Sequence, residues 1–413
     1  MEEINTSKKI IGKELYGYQQ DALEEIFKRF EDAPQDYHLL YQLPTGGGKT
    51  VIFSEIVRRY IETFKKKVLV LTHRIELSKQ TSKMLNEFGV KNKIINSSAV
   101  RDDQDNCSCV VAMVETLKNR LNDEKVDISD IGLVIVDEAH YNSFTKIFKF
   151  FDDAFILGVT ATPLSSNTKL PMYGNYQELF VGESIQHLIE SDYLASANLY
   201  SYNVGLTSLE VGANGDYTVK SSEDLYTNTD MLSKLVSAYE ETAKGKKTLI
   251  FNNGINTSIQ VYHAFKKAGY AIAHLDNTNT KKEREFILKW FHKTPNAVLT
   301  SVSILTTGFD EPSIEAIILN RATKSLTLYY QMIGRGSRIY GDKNTFEVVD
   351  LGNNFHRFGA WGADLDWQKM FRSPDYYLDA ILSDEDIEST FRYELPADVK
   401  TEFAKSKDTY FDM

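Results

Sequence analysis

Short runs of apolar, β-branched and aromatic residues recur along the chain, separated by longer stretches with apolar positions at helical spacing. His38–Gln42, Val68–Thr72, Cys109–Val114, Leu133–Val136 and Phe155–Thr160 form a first set of runs. Thr248–Asn252, Ala271–Leu275, Ala297–Ser301, Ala316–Asn320 and Glu347–Asp350 form a second. Near-continuous apolar runs read as strands covered on both faces, the habit of parallel sheets. Gln19–Phe30, Val51–Thr63 and Ile75–Phe88 read as helices between them. The alternation predicts an α/β protein with two tandem domains, each a mostly parallel sheet flanked by helices. The expected boundaries are 1–195 and 196–360, followed by an acidic tail over 361–413.

The join falls between Pro163 and Met231, through a turn-rich piece (Ser165–Tyr173), a helix (Glu183–Ser191) and a strand (Ala197–Val204). Asn214-Gly215 fits a tight hairpin turn or a plain surface loop. The tail after Gly359 shows no alternation. It reads as helical pieces packed on the second domain or frayed into solvent.

Composition narrows the class. The chain has 413 residues, 42% apolar and 25% charged, which suits two or three globular domains. No apolar run approaches the ~20 residues of a membrane helix, so no membrane partner is expected. The opening MEEINTSKK has no apolar core, so no secretory leader is expected. Cys107 and Cys109 are the only two cysteines, and they fit neither a disulfide framework nor a zinc pattern. They suit a reducing cytosol, and a cytoplasmic location is the expectation. The 47 Lys and Arg face 58 Asp and Glu, a net charge of −11. Residues 361–413 hold 13 acidic against 6 basic side chains. Any surface for a polyanion must therefore be a local patch.

The sharpest local chemistry is Gln42-Leu43-Pro44-Thr45-Gly46-Gly47-Gly48-Lys49-Thr50, between a strand run and a helix run. Glycines let the backbone wrap a phosphate closely, with N–H groups and a helix N-terminus aimed at its oxygens. Lys49 would sit on the β/γ-phosphates of a nucleotide and the Thr50 hydroxyl on Mg²⁺. The strict pattern has glycine where this chain has Leu43, and a Gly-rich turn before Lys-Thr is the bland alternative. A metal-holding carboxylate on a neighbouring strand is the necessary complement. Ile131 to Val136 form a largely apolar run that delivers Asp137 and Glu138 at its C-terminal end, where open α/β sheets bind ligands. Asp137 would hold Mg²⁺ and Glu138 would deprotonate the attacking water.

Asp137-Glu138-Ala139-His140 reads DEAH, and with the other motifs the chain resembles the superfamily 2 DEAD/DEAH-box helicases. Leu15-Tyr16-Gly17-Tyr18-Gln19 is similar to the family segment whose glutamine reads adenine, with Tyr16 in place of an arginine. Thr72 to Leu77 resembles motif Ia, Thr160-Ala161-Thr162 motif III, Leu305 to Asp310 motif V, and Gln331 to Arg338 motif VI. Motif VI with Asp350-Leu351-Gly352-Asn353-Asn354 is similar to the RadD/XPB/UvsW-like DNA branch. The resemblance covers about Leu15 to Gly359.

It implies two RecA-like domains that bind ATP between them and nucleic acid across both. By that resemblance the nucleotide contacts are Gln19, Thr45, Gly46, Gly47, Gly48, Lys49 and Thr50, with Asp310 on the ribose. Thr160 and Thr162 would couple hydrolysis to movement, or simply satisfy a buried strand end. Arg335 and Arg338 are three apart and would share a helix face. Both would stabilise the transferring phosphoryl group, worth ~10³–10⁵ in rate for an arginine finger, and Gln331 would contact the γ-phosphate or its water. An exposed basic helix is the bland alternative for motif VI.

His73, Arg74, Thr116, Asn253, Thr306 and Thr307 follow strands at helix starts and resemble the family's strand-tracking positions, although each alone would pass as a cap or turn residue. The implied partner is nucleic acid, with DNA (single-stranded or branched duplex) favoured over RNA, together with a protein partner such as a nuclease or repair factor. The rival functions are an ATP-gated clamp that separates no strands and the motor subunit of a restriction or defence complex. Pro374-Asp375 with Asp398-Val399-Lys400 mimics a nuclease pattern, but no strand run delivers those acids. The acidic stretch Asp384-Glu385-Asp386 reads as a solvated turn or helix start, or as a charge mimic of nucleic acid that blocks the track.

Overall fold

The computed structural model describes residues 14–34, 36–95, 107–122, 130–165, 170–306, 308–391 and 410–411. The chain divides into two compact units. One comprises residues 1–44, 48–183 and 366–377, and the other 45–47, 184–365 and 378–413.

The first unit is built on β1 (His38–Gln42), β2 (Lys67–Thr72), β3 (Asn92–Ile95), β4 (Cys109–Met113), β5 (Ile131–Asp137), β6 (Phe155–Thr160) and β7 (Glu178–Val181). Their order is β3-β4-β2-β5-β6-β1-β7, and every pairing is parallel. Strands such as Leu133–Val136 are fully buried because helices cover both faces. Each fully buried Leu, Ile or Val contributes about 1.5–3 kcal/mol. Parallel strands bring all their C-terminal ends to one edge. The loops after β1, β2, β4, β5 and β6 therefore gather there, and these are the loops that carry the motifs.

The second unit is built on β8 (Ser196–Ser201), β9 (Thr248–Asn252), β10 (Ile272–Leu275), β11 (Val298–Ser301), β12 (Ala316–Asn320), β13 (Thr345–Asp350) and β14 (Tyr410–Phe411). The order is β10-β11-β9-β12-β13-β8-β14, parallel except for β14, which runs antiparallel to β8. Its own core joins Val261, Phe265, Ile250, Ile318 and Val349.

The tail corrects the expectation that it packs on the second domain or frays. The helix Trp367–Arg372 belongs to the first unit, with Phe371 buried in the core alongside Met172, Tyr176 and Leu179. Gln368 Nε2 donates to the Leu179 carbonyl at 2.8 Å, giving the edge strand β7 a partner. Trp367, Met370 and Phe371 supply the apolar face that the sequence pattern concealed in so short a helix. The helix Asp384–Phe391 stays with the second unit. The Glu388 carboxylate accepts the N–H groups of Leu206 and Thr207 at 2.7 and 2.8 Å. Asp384, the first acid of the acidic stretch, is no free solvated charge: it pairs with the buried Arg357 and lies 3.6 Å from Lys324. Asn214-Gly215 forms a tight turn, with Gly215 at φ 80° and a single bridge between Val211 and Tyr217. Among the described residues no helix is long and apolar enough to cross a membrane.

Candidate nucleotide site

The loop after β1 turns into the helix Lys49–Phe64 through Gly48, whose backbone is left-handed at φ 84°. A side chain there would also run into the amide of Gln19. Only glycine suits both demands. Gln19 itself is buried, accepting from the Tyr16 N–H at 3.1 Å and donating to the Tyr18 hydroxyl at 3.3 Å. It is thus already oriented against the loop, and the Tyr16 ring stacks on Tyr18 with centroids 6.0 Å apart. Lys49 Nζ donates to the carbonyls of Leu43 and Pro44 at 3.3 and 3.4 Å, so its charge is held within the loop. Thr50 opens the helix, and its carbonyl accepts from Ser54 Oγ. Thr45 and Gly47 are buried, and Gly46 has a positive φ of 101°.

β5 ends on Asp137, and Glu138 follows in the left-handed region at φ 54°. A non-glycine residue there costs about 1–3 kcal/mol. The turn is held by the Ala139 N–H on the Val159 carbonyl at 3.0 Å and the Tyr141 N–H on the Glu138 carbonyl at 3.2 Å. Both carboxylates are buried. Burial pushes the Asp137 carboxyl up, the neighbouring Glu138 charge adds to this, and Lys49 works against it. A divalent cation would relieve such a crowded acidic pair. A carboxylate with a hydroxyl is a hard oxygen set of the kind Mg²⁺ takes beside substrate phosphates, so Asp137 and Thr50 fit that ion.

His140 is buried, with Nδ1 at 3.0 Å from Thr160 Oγ1 and 3.5 Å from Glu138 Oε2. Thr160 Oγ1 also meets the carbonyl and the N–H of Thr162, at 3.1 and 3.2 Å. Motif III thus reaches the acidic turn through the imidazole. The Tyr141 ring lies between two histidines, with centroids 4.3 Å from His140 and 4.3 Å from His73. Both ring nitrogens of His73 are buried and without a hydrogen-bond partner among the described residues. Arg74 and Thr116 stand on the same sheet edge, at the starts of the helices Ile75–Glu87 and Val114–Asn122.

In the second unit the helix Leu326–Ile333 ends before Gly334, so Arg335 and Arg338 do not share a helix face, contrary to the spacing argument. The helix is capped by Gly334, which stays right-handed at φ −58°, and Arg335 lies beyond its end. The two arginines also differ in partners. Arg335 donates from Nε and Nη2 to the Thr306 carbonyl at 3.1 and 2.7 Å, and from Nη1 to the Phe309 carbonyl at 2.7 Å. Arg338 is half-exposed and pairs through Nε with Asp310 at 3.1 Å. Gln331 is buried, and its Nε2 has no hydrogen-bond partner among the described residues. Asn253 Nδ2 donates to Ser222 Oγ at 2.7 Å and reaches the Tyr217 and Thr218 carbonyls at 3.3 and 3.4 Å. Thr306 is buried, and Thr307 lies outside the described residues.

Sequence reasoning missed the polar lock behind β13. Asp350 accepts from the Gly352 N–H, Asn354 Nδ2 and the Phe355 N–H at 3.0, 2.8 and 2.8 Å. Its segment Asp350-Leu351-Gly352-Asn353-Asn354 therefore serves as a turn lock. Sequence reasoning also passed over Tyr141, whose only signal was an aromatic residue directly after the acidic motif.

The first part of the chain, residues 12–165, matches the family model described as "Type III restriction enzyme, res subunit". Residues 228–340 match "Helicase conserved C-terminal domain". The "51.5 kDa protein" of Lactococcus phage (isolate 7-9) is 30% identical over 336 residues, covering 80% of this chain and 69% of that protein. IRC3 of Saccharomyces cerevisiae, provisionally named an ATP-dependent helicase, is 28% identical over 359 residues, or 82% of this chain. The alignment spans 51% of that yeast protein. Among solved structures, the ATP-dependent Type ISP restriction-modification enzyme LlaBIII bound to DNA shares the fold with a TM-score of 0.64. It is 17% identical, with 83% of this chain and 28% of that one covered. With the glycine loop and the DEAH turn on one edge of a parallel sheet, and a second such sheet carrying motifs V and VI, the chain belongs to the superfamily 2 helicases.

Proposed function

We propose that this chain is an ATP-driven nucleic-acid helicase or translocase that acts on DNA. The observation that carries the reading is the strained, buried turn at Glu138 beside the loop of Lys49. A costly backbone conformation that fixes a carboxylate at the ligand-binding edge of a sheet is the mark of a working site.

In this reading Gln19 reads the base, Lys49 leaves the Leu43 and Pro44 carbonyls for the β/γ-phosphates, and the backbone of residues 45–48 wraps them. Asp137 and Thr50 hold Mg²⁺, which when bound neutralises phosphate charge. Glu138 takes a proton from the attacking water; its backbone is fixed by the turn, and His140 Nδ1 lies 3.5 Å from Oε2. Arg338 is the candidate arginine finger, whereas Arg335 braces motif V. Gln331, with an uncommitted buried amide, is suited to the γ-phosphate. Asp310 would turn from Arg338 to the ribose. Thr160 and Thr162 couple the acidic turn to movement through His140. Arg74, Thr116, Asn253, Thr306 and Thr307 track the nucleic-acid backbone.

The test is ATP turnover with single-stranded DNA, duplex DNA, branched DNA and RNA as stimulants, alongside strand-displacement and triplex-displacement assays. Stimulation by DNA with displacement supports the proposal. Stimulation by RNA alone overturns the DNA assignment, and turnover without either displacement favours a nucleotide-gated clamp. A second reading, the motor subunit of a restriction or defence assembly, draws support from the restriction-subunit model over residues 12–165. Co-purification of a nuclease with the chain would favour it.

A further inference from the structure

The His73–Tyr141–His140 stack lies inside the first unit and joins two loops of the same sheet edge. At one end is the loop after β2, where Arg74 leads into the helix Ile75–Glu87. At the other is the turn that sets Glu138. The middle ring is bound to that turn twice: its backbone N–H closes the turn onto the Glu138 carbonyl, and its ring packs on His140. His140 Nδ1 in turn faces both Thr160 Oγ1 and Glu138 Oε2.

The His73 end is held differently. The residue is half-buried, yet both ring nitrogens are shut away without a hydrogen-bond partner among the described residues, so packing rather than a directional bond orients the imidazole. The chain immediately before it is pinned, with Thr72 Oγ1 at 2.7 Å from Ser78 Oγ. A shift of the loop at Arg74 would move the His73 ring against the tilted ring beside it. At interplanar angles of 37° and 39° and 4.3 Å between centroids the rings lie tilted against one another, a close contact that changes with small rotations.

We infer that Tyr141 is a positioning residue that links the nucleic-acid-facing loop at His73–Arg74 to the orientation of Glu138. The inference rests on the proposed function and adds the route by which occupancy of the loop raises the hydrolysis rate. It also gives His73 a role through its ring rather than as a direct backbone contact.

The experiment measures ATP turnover of the full chain with and without single-stranded DNA, for the wild type, Tyr141→Phe, Tyr141→Leu, His73→Leu and the double variant of the last two. The readout is the ratio of stimulated to unstimulated kcat, with the KM for ATP determined in each case. Tyr141→Phe keeps the ring and is expected to hold the ratio within twofold. Tyr141→Leu is expected to lower the ratio about tenfold with little change in KM. His73→Leu should do the same, and the double variant should be no worse than either alone, as members of one linkage behave. An unchanged ratio in Tyr141→Leu, or an equal fall of kcat with and without DNA, overturns the inference. If Tyr141→Leu loses its folded thermal transition, His73→Leu decides the matter by the same ratio. A wild type that DNA does not stimulate would instead refute the proposed function, so the two failures are told apart.

Discussion

The two sheets present the same kind of edge with opposite chemistry. On the first, the loop residues hold unresolved tension: Glu138 is left-handed, Asp137 is buried beside it with its carboxyl pushed up, and Lys49 rests on carbonyls it can leave. On the second, most polar groups at the strand ends are closed onto one another. Asn252 donates to Thr300 and to the Ser301 carbonyl, and Asn320 donates to Asn252, at 2.9, 3.0 and 2.8 Å. Ser258 bridges Thr300 and His274, and Asp350 is saturated by its own turn. A largely satisfied network, here with only the Asn320 Oδ1 left over among the groups named, is held firmly, whereas a strained and crowded one is poised for a ligand. The acidic turn of the first unit is strained and crowded, while the strand ends of the second are largely tied to one another by hydrogen bonds.

That division can be broken experimentally. The largest effect is expected from Lys49→Ala, which should bring ATP turnover down to background without loss of the folded transition. Next, the two arginines should separate by the kind of damage they cause. Arg338→Ala should lower kcat by about 10³-fold with stability unchanged, the value of an arginine finger. Arg335→Ala should instead destabilise the second unit by upwards of roughly 3 kcal/mol, since charged hydrogen bonds contribute about 1.5–3 kcal/mol each and the side chain reaches two carbonyls. Denaturant titration of both variants checks this, and a reversal of the two phenotypes would undo the assignment.

A smaller effect comes from pH. Burial holds the His73 imidazole down at about 4, against an ordinary value of 6.5, and His140 is lowered in the same direction. Between those values the unfolded chain binds more protons than the folded one. The stabilisation is therefore complete above pH 6.5 and is lost as pH falls through 4, by about 1–3 kcal/mol for one such group. The raised Asp137 acts with the opposite sign, losing stability as pH rises. The difference between wild type and His73→Asn across pH 4–6.5 isolates the histidine, and parallel stability curves would contradict its burial. At the bottom of the scale, Lys281→Ala, which breaks an exposed pair with Glu285, should move stability by less than about 0.5 kcal/mol.

Much of this was legible from residues alone. Buried parallel strands announce themselves as apolar runs, and the glycine loop and DEAH turn state their chemistry in types and spacing. Short, half-buried edge strands such as β3 and β7 did not announce themselves, because one face remains polar. The helix Trp367–Arg372 hid because six residues give too little periodicity to read. The role of Arg335 hid because sequence spacing does not reveal that the helix ends at Ile333 and leaves the guanidinium on motif V carbonyls. The Tyr141 stack joins residues from separate loops, and no local pattern signals it.

The central claim is that Glu138, held in its strained turn, activates water for a hydrolysis that nucleic acid accelerates. The direct measurement is ATP turnover of the wild type and Glu138→Gln as single-stranded DNA is titrated in, with nucleotide binding followed in parallel. The account expects wild-type turnover to rise with DNA, and the variant to bind nucleotide while turning over at background at every DNA concentration. A variant that hydrolyses ATP at the wild-type rate and still responds to DNA would contradict it.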